Sequence, residues 1–185
     1  MPNRYSALLE KSREIGFGMP SDVYIGTLLK TLVASKPNGK FLELGTGIGL
    51  SLAWMIKGMD KDSSIISVDN DSELIQIANA FFQGETRLEL IWADGGKWLE
   101  MYDGTPFDLI FADAWPGKYS HLDKALELLK IGGFYVIDDM RKQSNWPKGH
   151  EDKANELVRI LENREDITLT KMDWSTGLII AVKIK

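Results

Sequence analysis

Five carboxylates in this chain stand at the ends of apolar runs: Asp69 in SIISVDND, Asp94 in LIWADGG, Asp113 in DLIFADAW, and Asp138 with Asp139 in FYVIDDM. Ahead of them, FLELGTGIGLS sets Gly45, Gly47 and Gly49 at alternate positions directly after another apolar run. Residues without a Cβ admit positive φ, so a strand that ends in such a turn and enters a helix brings bare backbone against a ligand. A dinucleotide turn requires G-x-G-x-x-G, and counting from Gly45 the third glycine falls on Leu50, so the spacing fails. No Gly-Lys-Ser/Thr follows to hold a triphosphate. Asp69, with Asn70 beside it, is placed to accept hydrogen bonds from both hydroxyls of a ribose. Asp94, followed by Gly95, is placed to accept from an exocyclic amine of an adenine. With Thr46 inside the glycine turn, these residues describe a nucleoside held along the carboxyl ends of three parallel strands.

Asp113, Asp138 and Asp139 lie one strand further along. In a parallel sheet the ends of the fourth and fifth strands share an edge, which brings three carboxylates together beyond the nucleoside. Like charges so placed raise each other's pKa. A divalent, oxygen-bound cation, Mg first and Ca or Mn as alternatives, would resolve the conflict and acidify a substrate hydroxyl. The competing reading is that Asp138 caps a loop, Asp139 is solvated and Asp113 alone lines the ligand.

The elements that must position these residues follow from periodicity. After an opening helix, VYIGTLLKTLVA has helical spacing and SKPNG stops it before the strand KFLEL. Helix Leu50 to Gly58, strand SIISVD, helix SELIQIANAFF, strand RLELIWA, a short helix near Lys97 to Tyr102 and strand FDLIFADA continue the alternation. Then come helix HLDKALELLK, the turn IGG, strand FYVIDD, helix EDKANELVRILEN and two strands, ITLTKMDW and LIIAVKI, joined by STG. Apolar strands without strict alternation predict a parallel sheet covered by helices on both faces.

Composition narrows the class. The 185 residues are 44% apolar and 26% charged, with no apolar run long enough to cross a bilayer. The N-terminus MPNRYSALLEKSREIG is charged and unlike a secretion signal, so a cytoplasmic protein is expected. Zero cysteines exclude thiolate chemistry, and a net charge of -5 argues against a nucleic-acid partner. A membrane partner is not expected either.

The segment Gly45 to Gly49, Asp69, Asp94 and the terminal hairpin resemble the class I S-adenosylmethionine-dependent methyltransferases, from about Met19 to the end. The resemblance implies a Rossmann-like, doubly wound seven-stranded α/β sheet, mostly parallel with an antiparallel last strand and helices on both faces. It implies one domain over 1–185, with an N-terminal helical segment at 1–37 and the core at 38–185. Gly45 and Gly47 would lie against the methionine end of the cofactor, Asp69 on its ribose and Asp94 near its adenine.

GMPSDVYIGTLLKTLV, LELGTGIGLS, DAWPGKY and VIDDM are similar, more narrowly, to the cation-dependent O-methyltransferases of the catechol and caffeoyl-CoA type. By that likeness Asp113, Asp138 and Asp139 are metal ligands, where the family usually has Asp-Asn at the fifth strand and this chain has Asp-Asp. Ser51 binds the methionine carboxylate, Met19 and Ser21 belong to a segment that closes over the cofactor, and Trp115 packs near the adenine. Glu43 takes the acidic position of the first strand, with a buried structural hydrogen bond as its alternative role. A homodimer through the N-terminal helices is the family expectation.

The departures from that family bear on mechanism. Its lysine base, three residues after the first metal aspartate, is Pro116 here. Lys118 is the substitute candidate, with a surface lysine at helix entry as the alternative; Asp113 is the other catalytic candidate. His121 and His150 are further possible bases, each expected at the surface. Trp115, Tyr119, Trp146 and Trp174 are placed to clamp a flat acceptor, and RKQSNWPKGHED reads as a gating loop. The leading expectation is methyl transfer to a small-molecule hydroxyl with cation assistance. The alternatives are a cation-independent methyltransferase and a cofactor-binding protein without chemistry.

Overall fold

The structure, a computed structural model, describes residues 1–143 and 146–185. Two helices, α1 (Tyr5–Glu14) and α2 (Val23–Ala34), precede the alternation β1 (Lys40–Leu44), α3 (Leu50–Gly58), β2 (Ser64–Asp69), α4 (Ser72–Phe81), β3 (Leu88–Trp92), α5 (Gly95–Met101), β4 (Phe107–Ala112), α6 (Leu122–Glu127) and β5 (Leu129–Ile137). The chain ends with α7 (His150–Glu162), β6 (Ile167–Met172) and β7 (Leu178–Lys183). The seven strands form one sheet in the order β3-β2-β1-β4-β5-β7-β6. β7 runs antiparallel to both its neighbours, and the remaining pairings are parallel. The expected doubly wound sheet with an antiparallel last strand is the observed one.

Alternate residues of each strand feed opposite faces. Phe41 of β1, Phe111 of β4 and Val136 of β5 pack with Leu8 of α1, Leu29 of α2 and Trp54 of α3. Leu42, Ile110 and Tyr135 point the other way, to Leu99 of α5, Leu126 of α6 and Leu157 of α7. Hence the central strands are buried on both faces, whereas the edge strands β3 and β6 are largely half-exposed or exposed. Among the described residues no helix is long and apolar enough to cross a membrane.

One boundary differs from expectation. The IGG segment does not separate α6 from the fifth strand; it lies inside β5, which begins at Leu129. The pairing with β4 shifts register between Phe107 and Leu109, and Gly132 adopts φ +78° there. A glycine pair inside a strand reads as a turn but here makes a bulge. α6 is correspondingly cut to six residues.

The strand order reverses between β1 and β4, the point where an open α/β sheet leaves a crevice. There the amide of Asp113 donates to the carbonyl of Leu44 at 2.9 Å, tying the end of β4 to that of β1.

Candidate functional site

The glycine turn leaves β1 at this crevice with Gly45, Gly47 and Gly49 at φ +103°, +52° and +93°. All three are left-handed, which answers why the residues alternate. Gly45 also has no room for a side chain, since a Cβ there would lie 2.9 Å from the Asp113 carbonyl oxygen. Gly49 starts α3, leaving the first-turn N–H groups without intrahelical partners.

A cavity of about 650 Å³ opens over this turn. Of the candidate cofactor residues, Met19, Ser21, Gly45, Thr46, Gly47, Ser51, Asp69, Asn70, Asp94, Gly95, Asp113 and Trp115 all line it. Glu43 does not. It is wholly buried beneath the turn, where Ser51 Oγ donates to its Oε1 at 2.6 Å and Ser67 Oγ to its Oε2 at 2.5 Å. Thr46 Oγ1 extends the chain to Ser67 Oγ at 2.6 Å. Burial pushes the Glu43 carboxyl up to about 7 despite the two hydroxyl donors. The structural alternative for Glu43 is therefore the one observed.

The two acids of the second and third strands also hold backbone. Asp69 Oδ2 accepts from the amide of Gly47 at 2.8 Å and its Oδ1 from that of Asp71 at 2.9 Å, so this carboxylate fixes the glycine turn from the neighbouring strand. Asp94 caps α5, accepting from the Lys97 amide at 2.9 Å through Oδ1. Each keeps lone pairs for a ligand in the cavity.

At the far end stand Asp113 and Asp139, both lining the cavity, and Asp138, which does not. Asp138 is 3% exposed, and its Oδ1 takes two donors, the Asp139 amide at 2.7 Å and Thr176 Oγ1 from the hairpin between β6 and β7. Burial first, and then neighbouring charge, raises Asp138 to about 6 and Asp113 well above the usual carboxylate range. Asp139 adopts φ +54°, a left-handed conformation uncommon outside glycine and asparagine.

Lys118 corrects the expectation of a surface residue. It is 5% exposed, its Nζ donates to the Asp138 carbonyl oxygen at 2.5 Å, and burial lowers its pKa while the charges of Asp113, Asp139 and Asp138 oppose that shift. It does not line the cavity. His121 does line it, beside Gly95 and Gly96, with Nε2 3.2 Å from Glu100. The residue is exposed, as expected, at the cavity rim.

The aromatic residues divide. Tyr119, Trp115 and Trp146 gather round His150, with ring centroids 5.1, 5.9 and 4.3 Å from the imidazole. Tyr119 Oη lies 3.1 Å from His150 Nε2, and Lys153 Nζ sits 4.4 Å over the Trp115 ring. Trp174 is elsewhere, 5.5 Å from Tyr24 at the start of α2, and does not belong to the clamp. Of the gating segment 141–152, residues 144 and 145 lie outside the described residues. Phe17, which sits over Gly47, and Thr176 were not signalled by sequence; neither stands in a motif or at a strand end.

The fold is shared with solved proteins. An O-methyltransferase of Streptomyces achromogenes, TomG, solved in complex with SAM, superposes with a TM-score of 0.88 at 20% identity, over 100% of this chain and 91% of that one. The O-methyltransferase of Bacillus cereus, solved with SAH, superposes with a TM-score of 0.84 at 18% identity, covering 99% and 91%. A protein of Mycolicibacterium vanbaalenii provisionally named an O-methyltransferase is 31% identical over 188 aligned positions, 96% of this chain and 83% of its own length. The profile of the O-methyltransferase family matches residues 11–177, nearly the whole sheet and its helices, and the chain belongs to that family.

Proposed function

We propose that the chain transfers the methyl group of S-adenosylmethionine to a hydroxyl of a small, flat acceptor. The observation that carries this reading is the single cavity wall on which the glycine turn, Asp69, Asp94 and Asp113 follow one another in strand order. The presence of SAM in TomG and SAH in the Bacillus cereus enzyme supports it. The methionine carboxylate would meet the free first-turn N–H groups of α3 beside Ser51, where an anion is favoured. Asp69 with Asn70 would take the ribose, Asp94 with Gly95 the adenine amine, and Met19 and Ser21 would close the entrance.

The acceptor would lie between Asp113, Asp139 and Trp115, with Tyr119 and His150 behind. Its oxygen attacks the methyl carbon while the carbon–sulfur bond breaks, the electron pair passing to sulfur to leave S-adenosylhomocysteine. The hydroxyl proton goes to the Asp113 carboxylate, which lines the cavity at this end. Much of the rate would come from holding oxygen and methyl in line.

Cation assistance, expected from sequence for Asp113, Asp138 and Asp139, does not fit the donors as arranged. Among the described residues no three acids or histidines are grouped to hold a metal ion. Asp138 Oδ1 is taken by two donors and a buried lysine stands at the same corner. No step is therefore routed through a metal. A cytoplasmic homodimer remains the accompanying expectation, checked by light scattering.

The test is calorimetric titration with S-adenosylmethionine, followed by incubation with a panel of phenols and catechols and mass-spectrometric detection of S-adenosylhomocysteine and methylated product. Cofactor binding with turnover on any hydroxyl acceptor supports the reading. No cofactor binding would sink it.

A further inference from the structure

We propose that Lys118 supplies from within the chain the positive charge that the carboxylate corner requires, so that this enzyme works without a divalent cation. The inference rests on the reading of this corner as the acceptor end of an O-methyltransferase, but its own support is geometric.

The loop after β4 is built to turn this side chain inward. The amides of Tyr119 and Ser120 both donate to the Trp115 carbonyl, at 2.9 and 3.1 Å, and the Gly117 amide donates to the Ser120 carbonyl at 2.7 Å. Gly117 has φ +82°, and a Cβ on it would meet the Leu44 side chain at 2.5 Å, so the loop packs directly on β1. Tyr135 of β5 donates its hydroxyl to the Gly117 carbonyl beneath it. This tight loop follows Pro116, the departure seen in the sequence, and Lys118 is the residue it buries.

The ammonium ends at β5, on the Asp138 carbonyl oxygen, in the field of three carboxylates. A lysine stem at this depth is stable as a cation only where negative charge surrounds it. The corner is correspondingly one charge richer than in the family it resembles, since Asp139 stands where asparagine is usual. The family's lysine is displaced here from the Pro116 position to Lys118, which is buried behind Asp138 and faces that additional acidic residue. Lys118 acts through the carboxylates it faces and is a positioning residue; it anchors the end of β5 through the Asp138 carbonyl, next to Asp139 at the cavity edge.

The experiment is a titration of the protein, saturated with S-adenosylhomocysteine, with Mn2+ followed by the six-line EPR signal of the free ion. Wild type should leave Mn2+ free, and Lys118→Met, which keeps length and removes charge, should gain a site at least about tenfold tighter as the carboxylates lose their counter-charge. Lys118→Arg should behave as wild type. Stoichiometric Mn2+ binding by wild type that Asp139→Ala abolishes would overturn the proposal, as would a folded Lys118→Met with wild-type Mn2+ response. Should Lys118→Met not fold, the wild-type titration and Lys118→Arg still decide. S-adenosylhomocysteine binding in the same samples reads the cofactor site separately, so failure there counts against the proposed function and not against Lys118.

Discussion

Ser51 donates its hydroxyl proton to Glu43 Oε1 at 2.6 Å and thereby fastens the first turn of α3 to β1 directly beneath the cavity. The carboxyl that receives this bond is wholly buried and raised to about 7, chiefly by burial. A folded value above the unfolded one favours the protonated form in the native state. The contribution to stability is then complete below about pH 4.5 and is lost as pH rises through about 7. Glu43→Gln keeps shape without ionising, at most about 3 kcal/mol being at stake. The difference in Tm between the glutamine variant and wild type should therefore grow in the variant's favour by roughly 5 °C from about pH 5 to about pH 8. Parallel pH profiles in thermal denaturation would show that Glu43 does not ionise in this range.

Asp69 serves the turn and, on the proposed function, the ribose. Its Oδ2 already accepts from the Gly47 amide, so an acceptor side chain is anchored where ribose hydroxyls would arrive. Asp69→Ala should weaken S-adenosylmethionine binding by roughly 10- to 100-fold, as for loss of hydrogen bonds to a charged group. Calorimetry with the cofactor would check this, and an unchanged Kd would remove Asp69 from the site.

Gly45→Ala tests the crevice itself. The added methyl must form at φ +103° and 2.9 Å from the Asp113 carbonyl oxygen, which is backbone and cannot step aside cheaply. A Tm fall of about 4 °C or more is expected, from a strain of order 1–3 kcal/mol, together with lost cofactor binding. A variant that binds cofactor as wild type does would mean that the turn opens freely from β4.

Much of this arrangement is legible in sequence because strand ends carry it. KFLEL followed by glycine marks β1, and SIISVD and FDLIFA mark β2 and β4, since apolar runs buried on both faces need no tertiary information to recognise. The acids that close those runs fall on the cavity for the same reason. Lys118 is not legible: a lysine after Pro-Gly is ordinarily solvated, and only the packing of Gly117 on Leu44 reveals that this loop points it inward. Gly132 fails similarly, because a bulge and a turn ask for the same residue. Phe17 and Thr176 come to the site from segments far along the chain, through contacts no local spacing encodes.

Asp139 offers the sharpest separation of charge from chemistry. Its backbone is left-handed, a conformation that asparagine tolerates at least as well. Its carboxylate raises Asp113, Asp138 and Tyr119, while the attractions it returns are to Lys118 and to protonated His150, a form that burial disfavours. Asparagine at this position removes the repulsions from Asp113 and Asp138 together with the attraction to Lys118. Asp139→Asn should consequently raise Tm at neutral pH by about 2–4 °C, the effect of roughly 1 kcal/mol in a chain of this size. The gain should shrink as pH falls and the neighbouring carboxyls protonate, since there is then less charge for Asp139 to oppose. If Asp139 also orients the acceptor, kcat with a hydroxyl substrate should fall at the same time while cofactor Kd is kept, the usual exchange of activity for stability at a strained site. Thermal denaturation across pH beside steady-state kinetics measures both halves. A destabilised variant would mean that the attraction to Lys118 outweighs the repulsions, and that the corner is already balanced with its full complement of charge.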